Sequence, residues 1–464
     1  MAQFVITAID PRPGQGDAQV RLHYDNMAST LTFEDGRSVV PRIQAQRDYP
    51  DAVPVSAEEP GRKGPTIRML KIQLGHACNY ECSYCNQAHI ARTVEQTGPQ
   101  DVPAFIDLLR STLSAPPERV EFWGGEPLVY IKTLRPLIDA IRALYPAARL
   151  SMVTNGALLT PEINAWIDEA GLSIGLSHDG PGYHARGRDP LDVPDKRASI
   201  MDLYARLHPK GRISINAMMH RDNPSRAAVQ AWLQGRFGED VPIGEGSFID
   251  PYDEGGLAAT LHDDEHATYR LRAFAELRAG AAKNFGMAAQ KIKGFVDSLR
   301  FGRPASAIGQ KCGMDQADRI AVDLRGNVLT CQNASAVATA PNGQPHKIGH
   351  LSDLAGVAMR TSTHWSRRPD CANCPVLHLC GGSCMFLEGR LWEAGCDAAF
   401  SDNVPFFAAS IEFMTGLIPI YIEGDLREDR KDIFGQVRGA PAAPKKRVIP
   451  IMADDRPVDA ESPL

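Results

Sequence analysis

Between residues 67 and 250 the chain alternates short strand-like runs with longer segments of helical apolar spacing, and no other feature restricts its fold as tightly. The strand-like runs are IRMLKIQL (67–74), RVEFW (119–123), RLSMVT (149–154), LSIGLS (172–177), RISINAMM (212–219) and PIGEGSFI (242–249). Between them lie VPAFIDLLRSTL, TLRPLIDAIRALY, PEINAWIDEA, ASIMDLYARL and SRAAVQAWLQGRF, whose apolar residues recur three and four apart. Strands joined through helices pair in parallel by right-handed crossovers. The expected fold is α/β, a partial (β/α)6 barrel, with ligands bound beyond the C-terminal ends of its strands.

All ten cysteines fall into two groups. Cys78, Cys82 and Cys85 form a CxxxCxxC run directly after the first strand, and seven more lie between Cys312 and Cys396. Thiolate is the soft ligand that suits the four iron corners of a [4Fe–4S] cube, and three close cysteines leave one corner free. Zinc is the alternative for grouped cysteines, although it draws mostly on paired CxxC or Cys/His spacings. Thiolate ligands also require a reducing compartment, so a cytoplasmic location is expected.

The next three strands end in Gly124-Gly125-Glu126-Pro127-Leu128, in Thr154-Asn155-Gly156 and in Ser177-His178-Asp179-Gly180. One such tetrapeptide is weak evidence, whereas four motifs in order at successive strand ends are specific. Together with CxxxCxxC they resemble the radical S-adenosylmethionine (SAM) superfamily over residues 67–400. The resemblance implies that Cys78, Cys82 and Cys85 hold a [4Fe–4S] cluster whose free iron takes the amino and carboxylate groups of SAM. It places Tyr84 near the adenine, Gly124, Gly125 and Glu126 on the SAM ammonium, and Ser177 near SAM with Asp179 or Asn155. The stretch from His184 to Arg188 follows as a His/Arg-rich loop does in related enzymes. Asn216, Met218 and Glu245 on the last two strands either touch adenosine or substrate or simply fill the barrel interior.

The downstream cysteines run Cys312, Cys331, Cys371-x2-Cys374-x5-Cys380-x3-Cys384 and Cys396, with Gly326 between the first two. Gly326 reads as the turn of a hairpin, RIAVDL-RGN-VLTC, that delivers Cys331. The pattern is similar to the SPASM domain of peptide and protein maturases. That resemblance implies two auxiliary clusters, one on Cys312, Cys331 and Cys384 and the other on Cys371, Cys374, Cys380 and Cys396. Three cubes present twelve iron corners, so ten cysteines leave two corners without thiolate, one of them for SAM. The other is either open to a substrate thiolate or closed by a weak ligand such as Asp315 or Gln332.

The activity so implied is reductive cleavage of SAM to a 5′-deoxyadenosyl radical, followed by oxidation of a peptide or protein side chain, as in thioether or carbon–carbon crosslinks. A flavodoxin- or ferredoxin-type donor supplies the electron in this scheme. Oxidation of a small molecule is the second reading, and an iron–sulfur carrier without SAM chemistry the third, which GGEP and SHDG oppose. Formylglycine formation is less favoured, because Gln332 stands where sulfatase maturases carry a catalytic Asp. A general base is often needed in such reactions, and sequence does not choose among Asp315, Asp323, Asp250 and Glu254.

Net charge is −6, so no basic surface announces a nucleic-acid partner. The apolar stretch at 406–422 carries Glu412 and Pro419 and is short for a membrane span, so a helix under the last cluster is expected there. The N-terminus lacks the basic and apolar regions of a secretory signal. Residues 1–66 read as a β-rich extension ending in a polar linker (56–65), either capping the barrel or recruiting a peptide by strand addition. Residues 251–311 read as a helical bridge, 312–400 as the cluster domain, 401–426 as a C-terminal helix and 427–464 as a disordered tail.

Overall fold

A computed structural model describes residues 3–12, 18–43, 49, 55–56, 58–90, 97–340, 342–360 and 363–436. The chain opens with strands β1 (Gln3–Ile9), β2 (Gln19–Asp25) and β3 (Thr30–Phe33), and a two-residue β4 (Gly61–Arg62) follows. The predicted alternation comes next: β5 (Met69–Gln73), β6 (Arg119–Trp123), β7 (Arg149–Thr154), β8 (Ser173–Ser177), β9 (Ile213–Asn216) and β10 (Ile243–Glu245). Helices α1 (Val102–Thr112), α2 (Ile131–Leu144), α3 (Pro161–Glu169), α4 (Pro194–Leu207) and α5 (Arg226–Phe237) connect them. Local chemistry sets several boundaries. Thr160 accepts from the Ile163 amide at 3.2 Å ahead of Pro161, and Ser225 accepts from Ala228 at 3.0 Å.

The six strands pair in parallel in the order they occur. One parity of each strand, including Leu70, Ile72, Val120, Phe122, Leu150, Met152, Ile174 and Leu176, is buried under the helices. The other parity brings Trp123, Val153, Ser177 and Asn216 to the wall of an interior cavity. The alternation of a barrel strand thus fills one face and leaves the other free for chemistry.

The sheet does not close. Beyond it come α6 (Glu254–Ala259), α7 (His266–Arg278) and α8 (Gly286–Phe301), and then β11 (Arg319–Asp323), β12 (Asn327–Leu329), β13 (Lys347–His350) and β14 (Ala358–Met359). The β11–β12 hairpin lies against the first barrel strand: β11 pairs in parallel with β5, and the sheet runs β10-β9-β8-β7-β6-β5-β11-β12-β13. A β5 left as an edge would present unpaired backbone groups, and β11 satisfies them. Gly326, at φ 80°, makes the hairpin turn, with Asp323 accepting from the amides of Arg325 and Asn327 at 2.9 Å each.

The C-terminal part holds α9 (Pro369–Ala372), α10 (Leu377–Cys380), the 27-residue α11 (Gly389–Thr415), β15 (Ile418–Glu423) and α12 (Glu428–Lys431). The stretch at 406–422 therefore divides into the end of a helix and a strand, and among the described residues no helix is long and apolar enough to cross a membrane. Strand β15 completes an antiparallel sheet, β15-β1-β2-β3. Its apolar face, Phe4, Ile6, Leu22 and Tyr24, packs on Phe295 of α8 and Phe407 of α11. The extension thus covers the helices behind the last cysteines. Asn26, beyond β2, donates 3.0 Å hydrogen bonds to the carbonyls of Ala372 and Cys374. Of the expected tail, residues 437–464 lie outside the described residues, while Ile433 and Phe434 are buried.

Candidate functional site

The Cys78–Cys85 loop leaves β5 and is clamped against the loop after β6. The Gly125 and Glu126 amides donate to the carbonyls of Gly75 and Ala77 at 2.9 and 3.0 Å, and the Tyr130 hydroxyl accepts from the Ala77 amide at 2.9 Å. A Cβ on Gly125 would lie 2.5 Å from the carbonyl oxygens of His76 and Ala77, so only glycine permits this approach. On the opposite side the Ser83 amide donates to Ala185 at 2.8 Å, which ties the cysteine loop to the His/Arg-rich loop after β8.

Glu126 is 2% exposed and its carboxylate accepts three bonds: from Thr154 Oγ1 at 2.7 Å, the Asn155 amide at 2.8 Å and the Leu128 amide at 3.1 Å. Burial pushes this carboxyl above the usual range, and those bonds oppose the shift. A carboxylate offers about four acceptor positions, so one remains toward the cavity that Glu126 lines. Gly124, Gly125, Asn155, Ser177, Tyr84, Asn216 and Met218 line that cavity too. Asp179 does not. It accepts from the Met218 amide at 3.0 Å, takes the Tyr84 hydroxyl bond and pairs with Arg186 at 3.8 Å. Asp179, expected near SAM, is a fully buried carboxylate that holds Tyr84, Arg186 and the segment after β9.

The cavity measures about 950 Å³, and its facing wall carries Cys312, Cys331 and Cys384. Partial burial raises the Cys384 thiol to about 12, as it raises Cys82 to about 11 across the void, while Cys312 is exposed. The half-buried Tyr252 donates its hydroxyl to the Cys384 sulfur. Gln332 reaches the same wall, with Oε1 3.2 Å from Lys71 Nζ and 3.5 Å from Cys331 Sγ. Asp315 is not among the residues lining the cavity; it accepts from the Gln310 amide at 2.8 Å and meets His364 at 3.3 Å.

Of the four carboxylates weighed as a base, Asp250 alone lines the cavity, bonded to Ser383 and 3.2 Å from Lys311 Nζ. Asp323 caps the hairpin and Glu254 pairs with Arg390 at the surface. Lys71, Tyr252 and Arg186 were not among the candidate site residues. Lys71 lies within the apolar run of β5, and its Nζ meets Gln332 at 3.2 Å and Glu121 at 3.7 Å.

The remaining four cysteines line a separate small pocket, packed with Trp392, Phe400 and Arg430. Burial and the neighbouring thiols push Cys374 up to about 12 and Cys380 to about 11. Such crowding keeps the thiols protonated unless a metal supplies compensating charge. Among the described residues no three His, Cys, Asp or Glu side chains converge on a point that would hold a single ion.

Residues 72–227 match the family model of the radical SAM superfamily. The radical SAM cyclopropyl synthase TigE of Paramaledivibacter caminithermalis is 22% identical over 371 residues, 69% of this chain and 68% of that protein. The GTP 3′,8-cyclase of Xanthomonas campestris pv. campestris is 28% identical over 330 residues, covering 67% of this chain and 90% of that one. Among solved structures, native anSMEcpe with bound AdoMet and Cp18Cys peptide superposes with a TM-score of 0.53 at 15% identity, over 75% of this chain and 99% of the other. That last likeness is one of fold.

Proposed function

The chain carries a radical SAM domain and is an enzyme that uses SAM, and from that premise we propose that it oxidatively modifies a peptide or protein side chain with the help of two auxiliary iron–sulfur clusters. The observation that carries this reading is the single cavity that has the Cys78, Cys82 and Cys85 loop on one wall and Cys312, Cys331 and Cys384 on the other. A carrier of electrons needs no substrate-sized void between its metal loops. The fold shared with anSMEcpe, which binds a peptide, supports a peptide substrate.

When bound, the cluster and SAM supply the power to take hydrogen from an unreactive C–H bond. The chain's own residues do the rest. Cys78, Cys82 and Cys85 would hold the cluster, and Glu126, Gly124, Gly125, Asn155, Ser177 and Tyr84, which line the same cavity, would hold SAM. The hydrophobic shell behind the strands and the clamped loops hold these side chains in position. Asp250, facing the void from the end of the sixth strand run, takes the substrate proton, with Lys311 and Ser383 orienting its carboxylate. Cys312, Cys331 and Cys384 would hold the first auxiliary cluster, and Gln332 or a substrate thiolate would supply the ligand that these three cysteines leave missing.

Anaerobic reconstitution with iron, sulfide and SAM tests the reading. The protein is expected to bind three clusters and form 5′-deoxyadenosine under a strong reductant. The Cys78→Ala, Cys82→Ala, Cys85→Ala variant is expected to lose that product and keep the auxiliary iron. Undiminished 5′-deoxyadenosine from this variant, or no iron bound by its remaining seven cysteines, overturns the assignment.

A further inference from the structure

Arg430 belongs to α12, near the end of the described chain, yet its side chain is only 7% exposed. Its Nη2 lies 3.2 Å from Cys396 Sγ and 2.6 Å from Asp397 Oδ1, and its guanidinium carbon sits 4.8 Å from the centre of the Phe400 ring. Its Nε is buried and has no hydrogen-bond partner. A buried N–H without an acceptor is a costly arrangement, and here it borders the pocket formed by Cys371, Cys374, Cys380 and Cys396. Among the described residues on that pocket's wall Arg430 is the only cation and Asp370 the only carboxylate.

The placement is built into the fold. The Ile433 amide donates to the Ile420 carbonyl at 3.1 Å, Tyr421 bridges to Asp432, and Phe434 stacks on Phe274 at 4.9 Å. These contacts pin α12 against β15 and α7. Asp397 does not cancel the charge at the sulfur, because Arg427 shares it at 2.8 Å from the outer side.

We propose that Arg430 sets the reduction potential of the four-cysteine centre, donating to the Cys396 sulfur and offering its free Nε to the cluster held there. This rests on the reading that the four cysteines hold an iron–sulfur cluster. A four-thiolate cube is an anion that becomes more negative by one electron on reduction. A buried cation hydrogen-bonded to a ligand sulfur stabilises the reduced state more than the oxidised one, and so raises the potential. The guanidinium and the Phe400 ring beside it are both buried, which limits the screening of this effect by water.

The test uses the full chain lacking Cys78, Cys82 and Cys85, titrated with dithionite through mediators and followed by electron paramagnetic resonance alongside iron and sulfide analysis. Arg430→Gln is expected to shift the reduction equilibrium of one auxiliary signal at least tenfold toward the oxidised form, ~59 mV for a one-electron couple, with iron content unchanged. Arg430→Lys is expected to recover part of the shift, and Arg427→Gln to move neither signal. Full iron content with an unmoved midpoint in Arg430→Gln overturns the proposal. If Arg430→Gln loses iron, Arg430→Lys decides: retention of the cluster supports the charge, and its loss shows a packing role only. A parent variant that binds no auxiliary iron defeats the underlying cluster reading instead.

Discussion

At the scale of single residues, the site depends on side chains that do two things at once. Glu126 closes the turn after β6 by accepting from Leu128, Thr154 and Asn155, and it faces the SAM cavity. In Glu126→Gln an amide NH2 replaces one acceptor among these donors, so stability is expected to fall by about 1–3 kcal/mol and SAM affinity at least tenfold. Denaturant unfolding and anaerobic SAM titration read the two effects separately. A loss of stability with unchanged SAM affinity leaves Glu126 as a turn cap alone. Asp250 carries the opposite expectation. With any peptide that the parent modifies, Asp250→Asn is expected to slow product formation by roughly 10²–10⁴ while iron content and SAM affinity stay normal. An unchanged product rate removes Asp250 from the chemistry.

At the scale of elements, one buried ion pair joins the barrel to the C-terminal helices. Asp402 of α11 accepts from Arg226 at the start of α5 at 2.5 Å and from Tyr269 of α7 at 2.7 Å, and Lys291 of α8 lies 3.7 Å away. Burial alone would raise the Asp402 carboxyl, and the Arg226 and Lys291 cations reverse this and hold it well below the usual range. A carboxyl depressed in the folded state contributes stability that is present above its unfolded value, about pH 4, and lost as the pH falls below it. Asp402→Ala is expected to destabilise the protein by roughly 3–5 kcal/mol, because Arg226 is left buried without its partner. It should also flatten the acid limb of the stability profile, and unfolding midpoints measured from pH 7 to pH 3 check both. The sequence shows each helix, but Asp402 stands 176 residues from Arg226 and no local pattern links them.

At the scale of the whole molecule, the barrel and the cysteine-rich segment are one folding unit in this structure. Strand β11 covers the edge of β5, and Ile320, Val322, Leu324, Val328, Ala398 and Phe406 belong to the barrel's own core. A chain ended at residue 311 is therefore expected to be insoluble or to lack a cooperative thermal transition, since its sheet would end in an exposed edge strand. Cooperative melting of that fragment with a bound cluster would falsify the coupling. The six strand runs, the five intervening helices and the strand-end motifs could be read from the sequence because each is a local pattern of period two or 3.6 followed by turn residues. The CxxxCxxC run was equally legible, since spacing within one loop is a local property, whereas the grouping of Cys312, Cys331 and Cys384 was expected only from the SPASM resemblance. What only tertiary structure decided is which polar residues turn inward: Asp250 and not Asp315, Lys71 and Tyr252 beside the second trio, and Arg430 against Cys396. Those assignments depend on how distant segments pack, and the period of a strand or helix fixes the face of a side chain without saying what stands opposite it.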